Sequence, residues 1–358
     1  MKIVVNGRFL TQPVTGVQRF AIEIVRALIN SGHSLQVVAP RGVQDLKLAE
    51  EFDVQYIGGS IRGYLWEQLV LPFYCKAQEG PVFLINLTNT APVVLKQQLV
   101  TIHDIATFTH PEFYSKKFVL VYRVMIPLIV RRSFDVVTVS DFSKRELVNR
   151  FRVPEGKVSV VSNAISAVFD EAVEDEIKPG PYILAVSSLA PSKNLARLIQ
   201  AFGVYRRSGG LCRLLVVGAG NSGDRVFTAT EALSNGSDDE DVVFLGRVTD
   251  TELVSLYRNA DLFVHASLYE GFGIPPLEAM SCGTACVVSD IPSLREVCGD
   301  AAVYVDPLDV QSISAGMMRV LGCQELVRQM IDRGKERASL FDWTVSAEKI
   351  HDVISRHR

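Results

Sequence analysis

Short apolar runs alternate with helix-period stretches along nearly all of the 358 residues, and they do so in two successive series. No other feature restricts the fold as much. The first series has runs at 3–5, 35–38, 82–85, 99–102, 136–139 and 158–161, with helical patterns at 17–29, 115–131 and 143–151. The second has runs at 182–186, 213–217, 242–245, 262–265, 285–288 and 302–305, with helices starting at Asn194, Asp250, Pro275, Ser293 and Val310. Between them, 171–180 is acidic, poor in large apolar residues and closed by Pro179-Gly180, which reads as a linker. Apolar runs this short, separated by helices, are strands of a parallel sheet covered on both faces. The predicted fold class is therefore α/β, with two Rossmann-like domains at 1–167 and 182–340 joined by a linker at 168–181. A last helix within 341–358 follows the second sheet and is expected to bury its apolar stripe on the first domain. Ligands bind such sheets beyond the carboxyl ends of the strands, so a cleft between the domains is the expected site.

Composition narrows the function classes. Apolar residues make up 48% of the chain and charged residues 22%, with a net charge of −3, so no general electrostatic footprint for nucleic acid exists. The amino terminus turns polar at Asn6-Gly7-Arg8 and has no signal-peptide core. The most apolar run, 118–130, is interrupted by Arg123 and is too short to span a bilayer. A cytoplasmic protein is expected. The six cysteines are scattered without a CxxC pair, which points to buried thiols rather than disulfides or a metal site.

The stretch Glu270-Gly271-Phe272-Gly273-Ile274-Pro275-Pro276-Leu277-Glu278 carries the chemistry. Gly271 and Gly273 permit positive φ and close approach of a ligand. Pro275 and Pro276 suit a first helical turn, whose open N–H groups and dipole attract a phosphate. Ionised Glu278 and Glu270 can only accept hydrogen bonds, so sugar hydroxyls are natural partners. Spacing alone leaves a second reading open: a helix start with a stabilising first-turn acid and a solvated loop acid.

In order along the chain, these motifs resemble the retaining GT-B glycosyltransferases of family 4, which include bacterial mannosyl- and rhamnosyltransferases of O-antigen and capsule assembly. The resemblance covers nearly the whole chain. It rests on Glu270 and Glu278 at Glu-x7-Glu spacing, followed by Ala279-Met280 and Cys282-Gly283-Thr284. It extends through 292–297, and upstream through 187–195 with Lys193, Phe244-Leu245-Gly246-Arg247, the glycine loop at Gly16, His103-Asp104, 140–144 and Asn163. The resemblance implies a GT-B fold with two Rossmann-like domains facing across a cleft. The second domain would bind the donor and the first the acceptor. It also implies retention of configuration and neither metal nor cofactor. Lys193 would hold the donor diphosphate, His103 would approach the reacting sugar, and Gly16 would let the diphosphate or acceptor come close. Glu270 would face the sugar and Glu278 the ribose, with Gly271, Phe272 and Gly273 lining the donor. Ser188 stands where many members have arginine, which leaves phosphate charge to Lys193 and helix starts. Ala285 replaces the usual proline, a packing change.

Read without the resemblance, a lysine at a helix start opposes the dipole and so favours an anionic partner, although a solvated surface lysine is the simpler account. His103 closes a strand at its carboxyl edge, where a hydrogen-bonded structural histidine is common. Arg247 could reach a nucleobase or phosphates, or form a surface ion pair. Two look-alikes are set aside. The run Gly218-Ala219-Gly220-Asn221-Ser222-Gly223 matches a dinucleotide fingerprint, but it lies mid-domain and no acid closes the following strand. Asp239-Glu240-Asp241 resembles a metal-binding Asp-x-Asp, yet it stands in a polar loop.

The expected function is transfer of a hexose, best mannose and otherwise rhamnose or another hexose, from a nucleotide-diphosphate sugar to a saccharide acceptor in surface polysaccharide synthesis. The acceptor is expected to be lipid-linked. The basic and apolar stretch 115–132 could touch the inner face of an anionic membrane, or it could be a core helix with cationic ends. The alternatives are a nucleotide-sugar epimerase or hydrolase on the same fold, and a non-catalytic sugar-nucleotide-binding protein.

Overall fold

The computed structural model describes residues 1–169, 180–218 and 241–356. Residues 170–179 of the predicted linker lie outside the described residues, as do Ala219 to Gly223, Asp239, Glu240 and His357. The chain divides into two compact units. Unit 1 comprises Met1–Ile105, Leu120–Asn163 and Asp342–Arg358; unit 2 comprises Ala106–Val119 and Ala164–Phe341.

Unit 1 is built on seven parallel strands: β1 (Lys2–Asn6), β2 (Leu35–Ala39), β3 (Gln55–Tyr56), β4 (Val82–Asn86), β5 (Gln98–Thr101), β6 (Asp135–Thr138) and β7 (Val158–Val160). Their order is β3-β2-β1-β4-β5-β6-β7. The strands are nearly all buried because helices cover both faces, which is why they read as unbroken apolar runs. β3 escapes a sequence reading because it has two exposed residues at the sheet edge. The helical run Gly63–Leu65, Trp66–Val70 and Leu71–Ala77 escapes it for another reason. Its outer positions Leu65, Leu69 and Phe73 are apolar but exposed, so no polar face marks the period. Its inner face packs Trp66 and Leu71 against Val4, Val38 and Leu84. The last helix, Trp343–Ser355, packs on Gly16–Asn30 within unit 1. Trp343 meets Phe20 edge-on at 5.8 Å, and Ser346 donates to the Ser162 carbonyl at 2.8 Å.

Where the strand order of unit 1 reverses, between β1 and β4, the space is filled by a buried polar cluster. Arg8 Nε donates to Glu67 Oε1 at 3.1 Å, and the Arg8 guanidinium also donates to Thr90 at 2.6 Å. Asn6 and Thr90 donate to the same Glu67 oxygen at 2.9 and 3.1 Å. Glu67 Oε2 is buried with no hydrogen-bond partner. Glu67 lies in the π-helical turn Trp66–Val70, which rotates it inward beside Trp66.

Unit 2 has six parallel strands: β8 (Tyr182–Val186), β9 (Arg213–Val217), β10 (Val242–Gly246), β11 (Leu262–His265), β12 (Cys286–Ser289) and β13 (Ala302–Val305). Their order, β10-β9-β8-β11-β12-β13, repeats the doubly wound pattern. The core joins Ile183, Leu214, Val264 and Val287 of the sheet to Leu198, Phe202 and Met317 of the covering helices. Helix Gln324–Ala338 has no counterpart in the sequence prediction; it packs on Ile274–Ser281. Phe169 is buried and its carbonyl accepts from Arg258 at 3.0 Å, so the chain already packs on unit 2 before residue 170. Asp241 of the Asp-x-Asp look-alike pairs with Arg206 at 2.6 Å.

All six cysteines are free thiols; Cys75, Cys212, Cys286 and Cys298 are buried as expected, whereas Cys282 is half-buried and Cys323 is exposed. Among the described residues, no helix is long and apolar enough to cross a membrane.

Candidate functional site

The strand order of unit 2 reverses between β8 and β11, and the loops leaving these two strands meet beyond their carboxyl ends. β8 leads into Ser187 to Lys193, and β11 leads into Ala266 to Gly273. Two hydrogen bonds stitch these loops together, and a third ties them to the chain after β13. Leu268 N–H donates to the Ser192 carbonyl at 2.7 Å. Buried Asn194 donates from Nδ2 to the carbonyls of Ala266 at 2.9 Å and Pro307 at 2.7 Å. Asn194 takes positive φ (57°) as the N-cap of helix Leu195–Arg207, which a short polar side chain tolerates. Lys193 closes the 3-10 turn Pro191–Lys193 just before that helix.

This stitching brings Lys193 onto Glu270. Lys193 Nζ donates to Glu270 Oε1 at 2.7 Å, and His265 Nε2 approaches the same oxygen at 2.9 Å. A carboxylate only accepts, so Nε2 must carry the proton. Ser267 Oγ lies 3.1 Å from that nitrogen and completes the cluster. Burial alone raises the Glu270 pKa; the adjacent Lys193 ammonium and the His265 hydrogen bond overcome it and hold the carboxyl well below the usual carboxylate range. A depressed carboxyl contributes stability above its unfolded pKa and loses it as pH falls through the folded value, so Glu270 is ionised at neutral pH. Both bonds fall on Oε1, which leaves Oε2 to accept from a hydroxyl.

Glu278 sits on the helix Ile274–Ser281, whose first turn contains no acid. The alternative reading of Glu278 as a first-turn acid is corrected: Glu278 is one turn in and is buried. Its Oε2 accepts from the Tyr257 hydroxyl at 3.0 Å. Burial and the neighbouring Glu278 charge push the Tyr257 phenol well above its usual pKa, so it stays protonated as donor. The Tyr257 hydroxyl thereby orients the Glu278 carboxylate.

Of the two glycines, Gly273 is the one at positive φ (118°), as N-cap; Gly271 is not. A Cβ at Gly273 would also lie 2.4 Å from Leu294 Cδ2, so the position excludes side chains twice over. Phe272 is buried, with its ring edge-on to Phe341 at 5.5 Å, so toward a ligand it can offer main chain only. Ser188 is half-buried in the β8 loop, where its Oγ accepts from Ala190 N–H at 3.4 Å. Arg247 is exposed beyond β10, two strands from β8, and is not brought onto the Lys193–Glu270 pair.

His103 and Gly16 belong to unit 1. Gly16 is exposed and opens the helix Gly16–Asn30. His103 follows β5, is buried against the edge of Phe20, and places Nε2 3.0 Å from the Leu87 carbonyl. Burial lowers its pKa to about 4, with the Leu87 hydrogen bond opposing. The imidazole is therefore neutral near pH 7 and spends its N–H on Leu87. Toward a sugar it can accept a hydrogen bond through Nδ1, not donate one.

Sequence reading missed His265 and Tyr257. His265 was legible only as the last residue of a strand; its place at the carboxyl end of β11, five residues before Glu270, is the signal that could have found it. Tyr257 and Glu278 are 21 residues apart, and nothing local links them.

Comparison with known proteins agrees with the two-domain fold. Residues 14–168 match Glycosyltransferase Family 4, and residues 169–337 match Glycosyl transferases group 1. The chain is 27% identical over 387 residues to O-antigen chain mannosyltransferase B of Escherichia coli, covering 98% of this chain and 100% of that protein. It is 31% identical over 237 residues to the O-antigen chain mannosyltransferase RfbU of Salmonella typhimurium, covering 66% of this chain and 64% of that one. Among solved structures, Anabaena HepE in complex with UDP and glucose superposes with a TM-score of 0.77 at 19% identity, covering 99% of each chain, a likeness of fold. With a family 4 match over the first half and a group 1 match over the second, the chain belongs to the GT-B glycosyltransferases.

Proposed function

We propose that this glycosyltransferase moves a hexose, mannose first among them, from a nucleoside diphosphate sugar to a growing, lipid-linked surface polysaccharide, with retention and without a metal or other cofactor. The observation that carries the reading is the Lys193–Glu270–His265 cluster at the β8/β11 switch point. The mannosyltransferase relatives favour mannose. Lys193, with the helix start at Gly273, takes up the charge that grows on the departing diphosphate. Glu270 Oε2 accepts from a sugar hydroxyl, and Glu278 accepts from the ribose. Ser188 and the main chain from Gly271 to Gly273 line the diphosphate, and Arg247 is left to the base. On the acceptor side, Gly16 allows close approach and neutral His103 accepts from a hydroxyl.

Front-face attack suits this set better than double displacement, since Glu270 is already paired with a cation. The bond from C1 to the diphosphate oxygen breaks, the bond from the acceptor oxygen to C1 forms on the same face, and the acceptor proton passes to the leaving phosphate. The enzyme acts on the cytoplasmic side, at the inner face of the membrane.

The test is a panel of GDP-, UDP- and dTDP-hexoses, each incubated with and without a mannosyl oligosaccharide acceptor. GDP-mannose should be consumed only with acceptor and should yield a product of the same anomeric configuration. Consumption without acceptor would instead indicate a hydrolase or epimerase, and binding without product would indicate a sugar-nucleotide-binding protein.

A further inference from the structure

Unit 2 includes a segment drawn from the middle of the first half of the sequence. Residues Ala106–Val119 group with unit 2, although the chain before them, to Ile105, and after them, from Leu120, belongs to unit 1. The segment opens with a short helix, Ala106–Thr109, and continues into the 3-10 turn Pro111–Phe113, with His110 between the two. Phe113 is buried, and its N–H donates to the His110 carbonyl at 3.2 Å.

The His110 ring is held from three sides. It stacks on Phe113 with centroids 5.1 Å apart and 13° between the planes, and it meets Tyr269 at 5.2 Å and 61°. Its Nδ1 lies 3.2 Å from Glu112 Oε1. The Glu112 carboxyl, held below its usual range first by its own backbone N–H and then by His110, is ionised at neutral pH and only accepts. Nδ1 therefore carries the proton, and in the neutral imidazole Nε2 is left as an acceptor. Nε2 makes no hydrogen bond among the described residues, and the side chain is 35% exposed.

A histidine present only to close the turn would use its ring for that purpose. His110 caps Pro111–Phe113 without a side-chain hydrogen bond. Two aromatic rings and a carboxylate instead fix the plane and tautomer of an imidazole with one acceptor unused, the kind of support that holds a ligand-binding side chain in place. Tyr269 gives the position its meaning. It is buried and directly precedes Glu270, whose Oε1 carries the bonds from Lys193 and His265. His110 thus stands against the loop that presents Glu270 Oε2. Two acceptors at one loop suit a ligand with several hydroxyl donors, which a hexose is and a phosphate is not.

We propose that His110 reads the hexose of the donor: Nε2 accepts from one hexose hydroxyl while Glu270 Oε2 accepts from another. The choice of hexose then depends on the segment 106–113 as well as on the β11 loop. The proposal deepens the proposed function and rests on its reading of unit 2 as the donor site.

The experiment is calorimetric titration of GDP, GDP-mannose and the monodeoxy-mannose analogues of GDP-mannose into the full chain, His110→Phe and His110→Gln. If the donor panel selects another nucleotide hexose, that donor and its analogues take their place. Phenylalanine keeps a flat ring for Phe113 and Tyr269 but has no acceptor; glutamine returns an acceptor near the place of Nε2. The nucleotide alone should bind all three proteins alike. His110→Phe should bind the nucleotide hexose about five- to tenfold more weakly, and His110→Gln should recover part of that loss. Removing one particular hydroxyl should cost the parent chain a similar factor and cost His110→Phe nothing further, the coupling expected of two groups in contact. The proposal is overturned if every monodeoxy donor costs His110→Phe as much as the parent. It is also overturned if His110→Phe weakens the nucleotide as much as the nucleotide hexose, the result of a merely structural role. Failure of every nucleotide hexose to bind the parent chain is a different result, which removes the donor-site reading and this proposal with it.

Discussion

Lys193→Met should lower kcat/KM for hexosyl transfer by about 10²–10³-fold, the cost of removing one preorganised group that meets developing charge. The size follows from the surroundings of the lysine. Its ammonium is held by Glu270 at 2.7 Å, on a loop fixed to the β11 loop by the Leu268–Ser192 bond. It therefore needs little reorganisation when the diphosphate departs. Ser188 adds no second cation in the same loop, so the loss is not shared. Lys193→Arg should recover only part of the rate, because a planar fork does not reproduce a point charge. Steady-state kinetics with the donor identified in the panel check this. A loss below tenfold would place the phosphate contact elsewhere.

Arg8→Met should destabilise unit 1 by about 3–5 kcal/mol, the range for removing one partner of a buried ion pair. Glu67 is fully buried, its Oε1 carries every bond it makes to Arg8, Asn6 and Thr90, and its Oε2 has no partner. Without the guanidinium the charge has only neutral donors left. The double variant Arg8→Met/Glu67→Leu should regain much of the loss, since a buried pair replaced by apolar groups is often close to neutral. Urea denaturation of the full chain, followed through Trp66 and Trp343 fluorescence, reads the transition of unit 1, where both tryptophans lie.

The fold was legible because parallel strands buried on both faces write themselves as apolar runs, as at β1, β4 and β8. What stayed hidden lacked that signature: the exposed two-residue β3, and the helices of 63–77 whose outward leucines erase the polar stripe. The candidate site was legible in its types and order but not in its pairings. Lys193 meets Glu270 across 77 residues, and Tyr257 meets Glu278 across 21, because strand order rather than spacing brings these loops together. Glu278 could be read as a first-turn acid because Pro275 and Pro276 do not reveal that the helix begins one residue earlier, at Ile274. His265 was hidden within a strand, although its position at the carboxyl end beside a sheet reversal is where such a group acts.

In the proposed function, unit 2 binds a nucleoside diphosphate sugar through Lys193 and Glu278. Calorimetric titration of GDP-mannose into the parent chain, Lys193→Met and Glu278→Gln measures it directly. One site should appear in the parent chain and weaken by about 10- to 100-fold in each variant, the worth of a hydrogen bond to a charged group. Equal affinity in all three proteins would contradict the assignment.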